Sequence, residues 1–188
     1  MNYIAKKHII KIPKNISTYY CDAKRIIIFT NSFAQKTLTL KTKIVIEKKK
    51  RIISVTRQPF VTISNNEKKK LKAIQATQVS ILKQILLDIS FFFCKKLNLV
   101  GVGFRVSTLN SSLLHFKLGY SHSIYFKIPK NLKIFCFRNN KLFVTGYSYL
   151  FVTQIAALIR SYKAPEPYKG KGIVYTTEKI QIKEGKKL

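Results

Sequence analysis

Apolar and polar positions alternate in short runs along most of this chain, the period of half-buried β-strands. In the first half the runs are "HIIKIP", "ISTYYC", "RIIIFTN", "KTLTL", "KIVIEK", "RIISVTR" and "FVTIS". In the second half they are "LNLVGVGFRVSTL", "SLLHFKLGY", "SIYFKIP", "LKIFCFR" and "KLFVTG", which predict five strands. Two stretches switch to helical spacing. Leu71, Ile74, Ile81, Leu82, Ile85 and Ile89 fall on one predicted helix face, after a capping-box pattern at Ser64-Asn65-Asn66-Glu67. Val152, Ile155, Ala156 and Ile159 define a second helix from about Ser148 to Tyr162, ended by the restriction that Pro165 places on Ala164.

Each half therefore reads as several antiparallel strands and one helix. The pentapeptide "KIPKN" occurs at residues 11–15 and again at 127–131, each time followed by a strand, a polar turn and another strand. The pattern predicts an α+β protein of two tandem duplicated domains, each packing antiparallel sheets and one helix around a single core. The expected boundaries are 1–93, 94–175, and a basic C-terminal tail over 176–188. The two "KIPKN" segments are expected to occupy equivalent strands.

Charge narrows the function. Among 188 residues, 36 Lys and Arg oppose 7 Asp and Glu, a formal +29. Residues 1–88 carry 19 basic and 4 acidic side chains, and residues 89–188 carry 17 and 3, so both halves are cationic. Such a field needs a polyanion, nucleic acid first and an anionic membrane second. The longest apolar run, Ile85 to Phe93, is interrupted by Asp88 and too short to cross a bilayer.

Catalytic chemistry has little support. Cys21, Cys94 and Cys136 are odd in number and widely spaced, which suits neither a disulfide framework nor a zinc site and points to a reducing compartment. Three scattered histidines add no metal pattern. Gly101-Val102-Gly103 begins like a dinucleotide loop, but Val106 stands at the sixth position and no helix pattern follows. Two glycines bending a strand explain it better. No catalytic residue, metal or cofactor is expected, and no small-molecule substrate.

The most informative stretch is "APEPYKGKGI" at 164–173, where lysine and glycine alternate strictly. Bare glycines at 170 and 172 are expected to let phosphates approach backbone N–H groups, with Lys169 and Lys171 neutralising them and Tyr168 stacking. Ser121 and His122, in the polar loop "GYSHS", are expected near phosphate as well.

These residues also carry a resemblance. "LVGVGFRV" at 99–106, "LGYSH" at 118–122, "IRSYKAPEPYKGKGI" at 159–173 and "KEGKK" at 183–187 are similar to the bacterial-type family of large-subunit ribosomal protein six. The matches follow family order and spacing over nearly the whole second half, and "PEPYKGKG" is the most specific of them. The resemblance implies a two-domain structural constituent of the large ribosomal subunit that binds large-subunit rRNA beside the sarcin–ricin loop and the stalk base. Neighbouring ribosomal proteins would be its further partners. Carried over by position, the RNA-facing set is Tyr168, Lys169, Gly170, Lys171 and Gly172, followed by Arg160, Lys163, Ser121 and His122. Val174, Val79, Asp88 and Phe92 depart from the family pattern, which has basic residues at the first two positions and glycines at the other two.

A free-standing RNA-binding or RNA-chaperone protein is the alternative, which explains the charge but not the "PEPYKGKG" stretch. Ile, Lys, Asn, Phe and Tyr are abundant, all with A/T-rich codons, and no basic presequence is visible. The expected setting is a mitochondrial matrix ribosome with an organelle-encoded chain, or otherwise a plastid or a bacterial cytoplasm.

Overall fold

The computed structural model describes residues 8–60, 70–110 and 112–185. The chain divides into two compact units between Phe91 and Phe92. That is two residues before the expected boundary, because Phe93 already opens the first strand of the second unit.

The first unit runs β1 (Ile9–Lys11), β2 (Ser17–Cys21), β3 (Ile26–Thr30), β4 (Gln35–Thr39), β5 (Thr42–Glu47), β6 (Ile52–Pro59) and α1 (Leu71–Ser90). Its strands form two three-stranded sheets, β1-β6-β5 and β2-β3-β4. The second unit runs β7 (Phe93–Val100), β8 (Arg105–Asn110), β9 (Leu113–Lys117), β10 (Ile124–Lys127), β11 (Leu132–Phe137), β12 (Lys141–Gly146), α2 (Tyr149–Ser161) and β13 (Gly172–Tyr175). Its sheets are β11-β12-β7-β13 and β10-β9-β8. All strand pairs in both units are antiparallel.

The six strands and helix of the first unit map in chain order onto β7 to β12 and α2. The order β1-β6-β5 becomes β7-β12-β11, and β2-β3-β4 becomes β8-β9-β10. Matching backbone bonds fix the register. Ile12 N–H donates to Arg51 O as Leu99 N–H does to Asn140 O, and Leu40 N–H donates to Arg25 O as Ile128 N–H does to Ser112 O. Strands β5 and β11 even share one burial pattern. The chain is thus α+β and duplicated, with β13 added only in the second unit.

This register corrects the expectation about "KIPKN". The first copy leaves β1, which corresponds to β7, whereas the second leaves β10, which corresponds to β4. The pentapeptides resemble one another because each bridges a strand end to the next sheet. Ile12 and Ile128 are both buried there, and the carbonyls of Pro13 and Pro129 each accept from the third residue onward. The duplication is real and the pentapeptide is not its trace. The expected strand "LNLVGVGFRVSTL" is also two strands, β7 and β8, because the chain turns between Gly101 and Phe104.

Each unit has its own core. Ile27, Phe29, Ile53 and Val55 from the strands meet Val79, Leu82, Leu86 and Ile89 of α1. In the second unit Leu97, Leu114, Phe116, Leu142 and Val144 meet Val152, Ala156 and Ile159 of α2.

The buried face of α1 differs from the one its apolar residues predict. Leu82 and Ile89 are buried but Ile81 is 46% exposed, while Gln75, Gln78 and Asp88 point inward. Polar groups are tolerated there because most of their polar atoms are bonded, with Gln78 Nε2 the exception. Gln75 Nε2 donates to Val55 O at 2.6 Å. Gln78 Oε1 accepts from the N–H groups of Lys41 and Thr42 and from the Thr42 hydroxyl, all at 3.1–3.2 Å. Asp88 pairs with Lys36 Nζ at 2.5 Å and accepts from Gln84. The departures Val79 and Asp88 thus both face inward. The capping-box pattern at Ser64 to Glu67 lies outside the described residues.

The Gln78 junction is testable. Gln78→Leu removes the acceptor for two N–H groups at the β4–β5 turn, so it should destabilise the first unit by about 1–3 kcal/mol. Chemical denaturation should show that unit's transition moving, while Ser80→Ala, on the exposed side of α1, moves it less. Equal loss in both variants would contradict this role.

Candidate nucleic-acid interface

Helix α2 presents Val152, Ala156 and Ile159 to the core and ends at Tyr162, whose N–H donates to Ile159 O at 3.2 Å. The chain then folds back as a closed loop. Glu166 N–H donates to Lys171 O and Gly170 N–H donates to Glu166 O, both at 2.9 Å. Gly170 has φ +66°, a left-handed conformation that glycine adopts without cost. From Gly172 onward the chain pairs with β7, and Ile173 N–H donates to Lys163 O at 2.8 Å.

Gly172 sits at the tightest point. Its φ is +154°, and a Cβ there would lie 2.6 Å from Pro165 Cα and 2.8 Å from Ala164 O. The backbone at 164–165 crosses directly over it, so no side chain fits. Gly170 and Gly172 are both buried, and Lys169 and Lys171 are both exposed. The alternation therefore has two sides, glycine inward for close packing and lysine outward to solvent. This corrects the expectation that the Gly170 N–H awaits a phosphate, since Glu166 O already accepts it.

Arg160, expected to face RNA, is engaged by a carboxylate in the RNA-free chain. Its Nε and Nη2 bond both carboxylate oxygens of Glu178, at 3.0 and 2.5 Å, and its guanidinium lies over the Tyr175 ring. This bond holds the Glu178 carboxyl below the usual carboxylate range and raises Arg160. Burial pushes the Tyr175 hydroxyl up. The pair fastens the start of the stretch expected to be a basic C-terminal tail. Thr176 N–H donates to Lys96 O and Lys183 N–H to Pro167 O, while Ile180 approaches Gly170.

The remaining candidates converge. Tyr120 donates to Tyr162 O at 3.1 Å and stacks on His122, with ring centroids 5.7 Å apart and planes 16° apart. Lys163 Nζ lies 4.2 Å from the Tyr120 ring centroid, within cation–π range. Tyr120, Lys163, Glu166 and Lys171 line one shallow groove with Phe104 and Leu118. The loop at 118–122 and the "YKGKG" turn thus share a face, with Lys163 and Lys171 on the groove. Ser121, His122 and Tyr168 are exposed. Tyr120, which residue-by-residue reasoning passed over, is the side chain that joins the two segments. Its place between Gly119 and Ser121 in the polar loop was the available signal. Among the described residues no cluster of His, Cys, Asp or Glu could hold a metal ion, and no helix is long and apolar enough to cross a membrane.

Two outcomes follow from this geometry. Gly172→Val should destabilise the second unit by at least about 1–3 kcal/mol, because overpacking adds to backbone strain. Lys171→Ala should leave its melting temperature unchanged, and equal melting of the two variants would contradict the two-sided arrangement. The Arg160–Glu178 pair gives a pH signature. Because Glu178 is held low when folded, its contribution is full above the ordinary carboxylate pKa and is lost as pH falls through the lowered value. Glu178→Gln should therefore melt below the parent at pH 7, by ~0.5–1 kcal/mol for a partly exposed pair, and the difference should vanish in acid. A difference that grows in acid would contradict it.

Comparison with known proteins agrees with the geometry of both units. Residues 100–176 match the family described as Ribosomal protein L6. The chain is 36% identical over 178 residues to large ribosomal subunit protein uL6 of Mycoplasmoides gallisepticum, covering 95% of this chain and 93% of that protein. It is 42% identical over 134 residues to uL6 of Mycoplasma capricolum subsp. capricolum, covering 71% and 74%. Over 121 residues it is 41% identical to uL6 of Chlorobium limicola, covering 64% and 67%. The alignment with the first of these runs through both duplicated units, and the family match spans β8 to β13 with the "YKGKG" turn. The chain belongs to the ribosomal protein L6 family.

Proposed function

We propose that the chain binds large-subunit ribosomal RNA, as a structural constituent of the large subunit, through the face that carries Tyr168, Lys169, Lys171, Lys163, Ser121 and His122. The observation that carries this reading is the two-sided turn. Glycines fix its backbone from within and leave two neighbouring lysines projecting from a rigid support. Cations carried on a fixed backbone contact phosphates without the further cost of ordering that backbone. Lys169 and Lys171 would neutralise phosphates and set position, while Tyr168 and the Tyr120–His122 stack offer flat faces to bases or sugars. Gly170, Gly172 and Arg160 would act through the shape of the turn and its strap.

The family is a structural one rather than an enzymatic one. The family resemblance supports a location beside the sarcin–ricin loop near the stalk base, with neighbouring ribosomal proteins as further partners. The A/T-rich residue bias supports a mitochondrial ribosome.

Salt dependence tests the reading. Lys169→Ala or Lys171→Ala should weaken binding to a large-subunit rRNA fragment almost regardless of base sequence, and lower the slope of log affinity against log salt by about one each. The parent should cosediment with large subunits through a high-salt wash. Washing off completely would favour a loosely bound RNA chaperone instead, and unchanged salt slopes would remove the two lysines from the contact.

A further inference from the structure

The sheet β11-β12-β7-β13 has a second face, turned away from α2, that the proposed rRNA contact does not use. Cross-strand register places Phe135, Phe143 and Lys96 in one row across β11, β12 and β7. The next row pairs Phe137 with Lys141, and Lys133 lies on the other side. Phe135 and Phe137 are 56% and 51% exposed, and both lysines of β11 and β12 are exposed. Lys96 Nζ sits over the Phe143 ring at 5.6 Å, and Arg138 over Phe137 at 5.2 Å. No acid occurs in β7, β11 or β12.

Exposed rings among cations, without a counter-charge, suit one class of ligand. A protein or membrane partner would gain from the rings, but only a strand of unpaired nucleotides supplies both flat bases and regularly spaced phosphates. Alternate residues on a strand stand about 6.7 Å apart, so Phe135 and Phe137 can each take one base. The duplication supplies an internal comparison. In the first unit the row equivalent to Phe135, Phe143 and Lys96 reads Val45, Ser54 and Ile9, and Glu47 replaces Phe137. The aromatic and cationic character belongs to the second unit alone, so it is not a requirement of the shared fold.

We infer that this open sheet face is a second RNA-binding surface, which stacks unpaired bases of single-stranded RNA on Phe135 and Phe137 while Lys96, Lys133 and Lys141 hold its phosphates. It rests on the proposed rRNA-binding function only for where the RNA comes from.

The experiment separates bases from phosphates. The full chain, carrying Tyr168→Ala, Lys169→Ala and Lys171→Ala to silence the turn, is titrated with a ten-nucleotide oligouridylate and with an abasic strand of equal length and charge. The oligouridylate should bind about tenfold tighter. Adding Phe135→Ala and Phe137→Ala should abolish that preference while leaving abasic affinity unchanged and lowering the melting temperature only slightly, since both rings are half exposed on the solvent side. Lys133→Ala should weaken both strands alike. Val45→Ala in the first unit should do nothing. A missing preference, or one that survives loss of both rings, overturns the inference. A preference that survives in the Phe135→Ala and Phe137→Ala chain, together with failure of that chain to enter large subunits, would assign the face to a protein partner.

Discussion

The close crossing of the chain over Gly172 governs the second unit's functional end. Strand β13 can join β7 only if residues 164–165 pass over it, and they pass at a distance that excludes even a methyl group. Once that crossing is made, the turn ahead of it is closed by Glu166 N–H to Lys171 O and Gly170 N–H to Glu166 O, with Gly170 in the left-handed region. The position before Gly172 faces outward, and so does the one before Gly170. A lysine at each is then a cation on a fixed mount. The helix ahead and the strand behind are parts of the core, so the mount inherits their stability.

Charge is divided in the same way. The chain has few acids, and those in the described cores are used to hold structure rather than to moderate the field. Asp88 pairs with Lys36 under α1, and Glu178 clasps Arg160 to fasten residues 176–185. Among the described residues, the ion pairs are Lys36–Asp88, Lys50–Glu47 and Arg160–Glu178, and most other lysines lie on the surface. A chain of +29 repels itself, which favours a neutralising polyanion as its working environment. The position of the few acids therefore says as much about function as the number of lysines.

Most strands and both helices are legible in the periodicity, and so is the α+β class, because half-buried strands of one sheet face must alternate. Strands β7 and β8 read as one strand, β13 does not stand out, and residues 61–64 of "FVTIS" lie outside the described residues. Three features escaped for identifiable reasons. Apolar spacing misplaces the inward face of α1, since Gln75, Gln78 and Asp88 each make hydrogen bonds inside, and hydrophobicity alone cannot register that. The repeat was detected through "KIPKN", yet its true register is carried by backbone bonds such as Ile12 to Arg51 and Leu99 to Asn140, which leave no trace in residue identity. The alternation at 169–172 was visible as a pattern, but its glycines were assigned to the ligand instead of to Pro165. A glycine that lets a phosphate approach and one that lets a backbone approach are identical in sequence.

Hydrogen exchange at two amides tests the central claim most directly. If the glycines serve the fold, the amides of Gly170 and Ile173 are already bonded to Glu166 and Lys163 before any RNA binds. In the RNA-free chain they should exchange slowly, at rates close to those of the β7 amides, and a large-subunit rRNA fragment should change them little. Fast exchange in the free chain, with protection appearing only when RNA is added, would mean that RNA organises the turn, and would contradict the account.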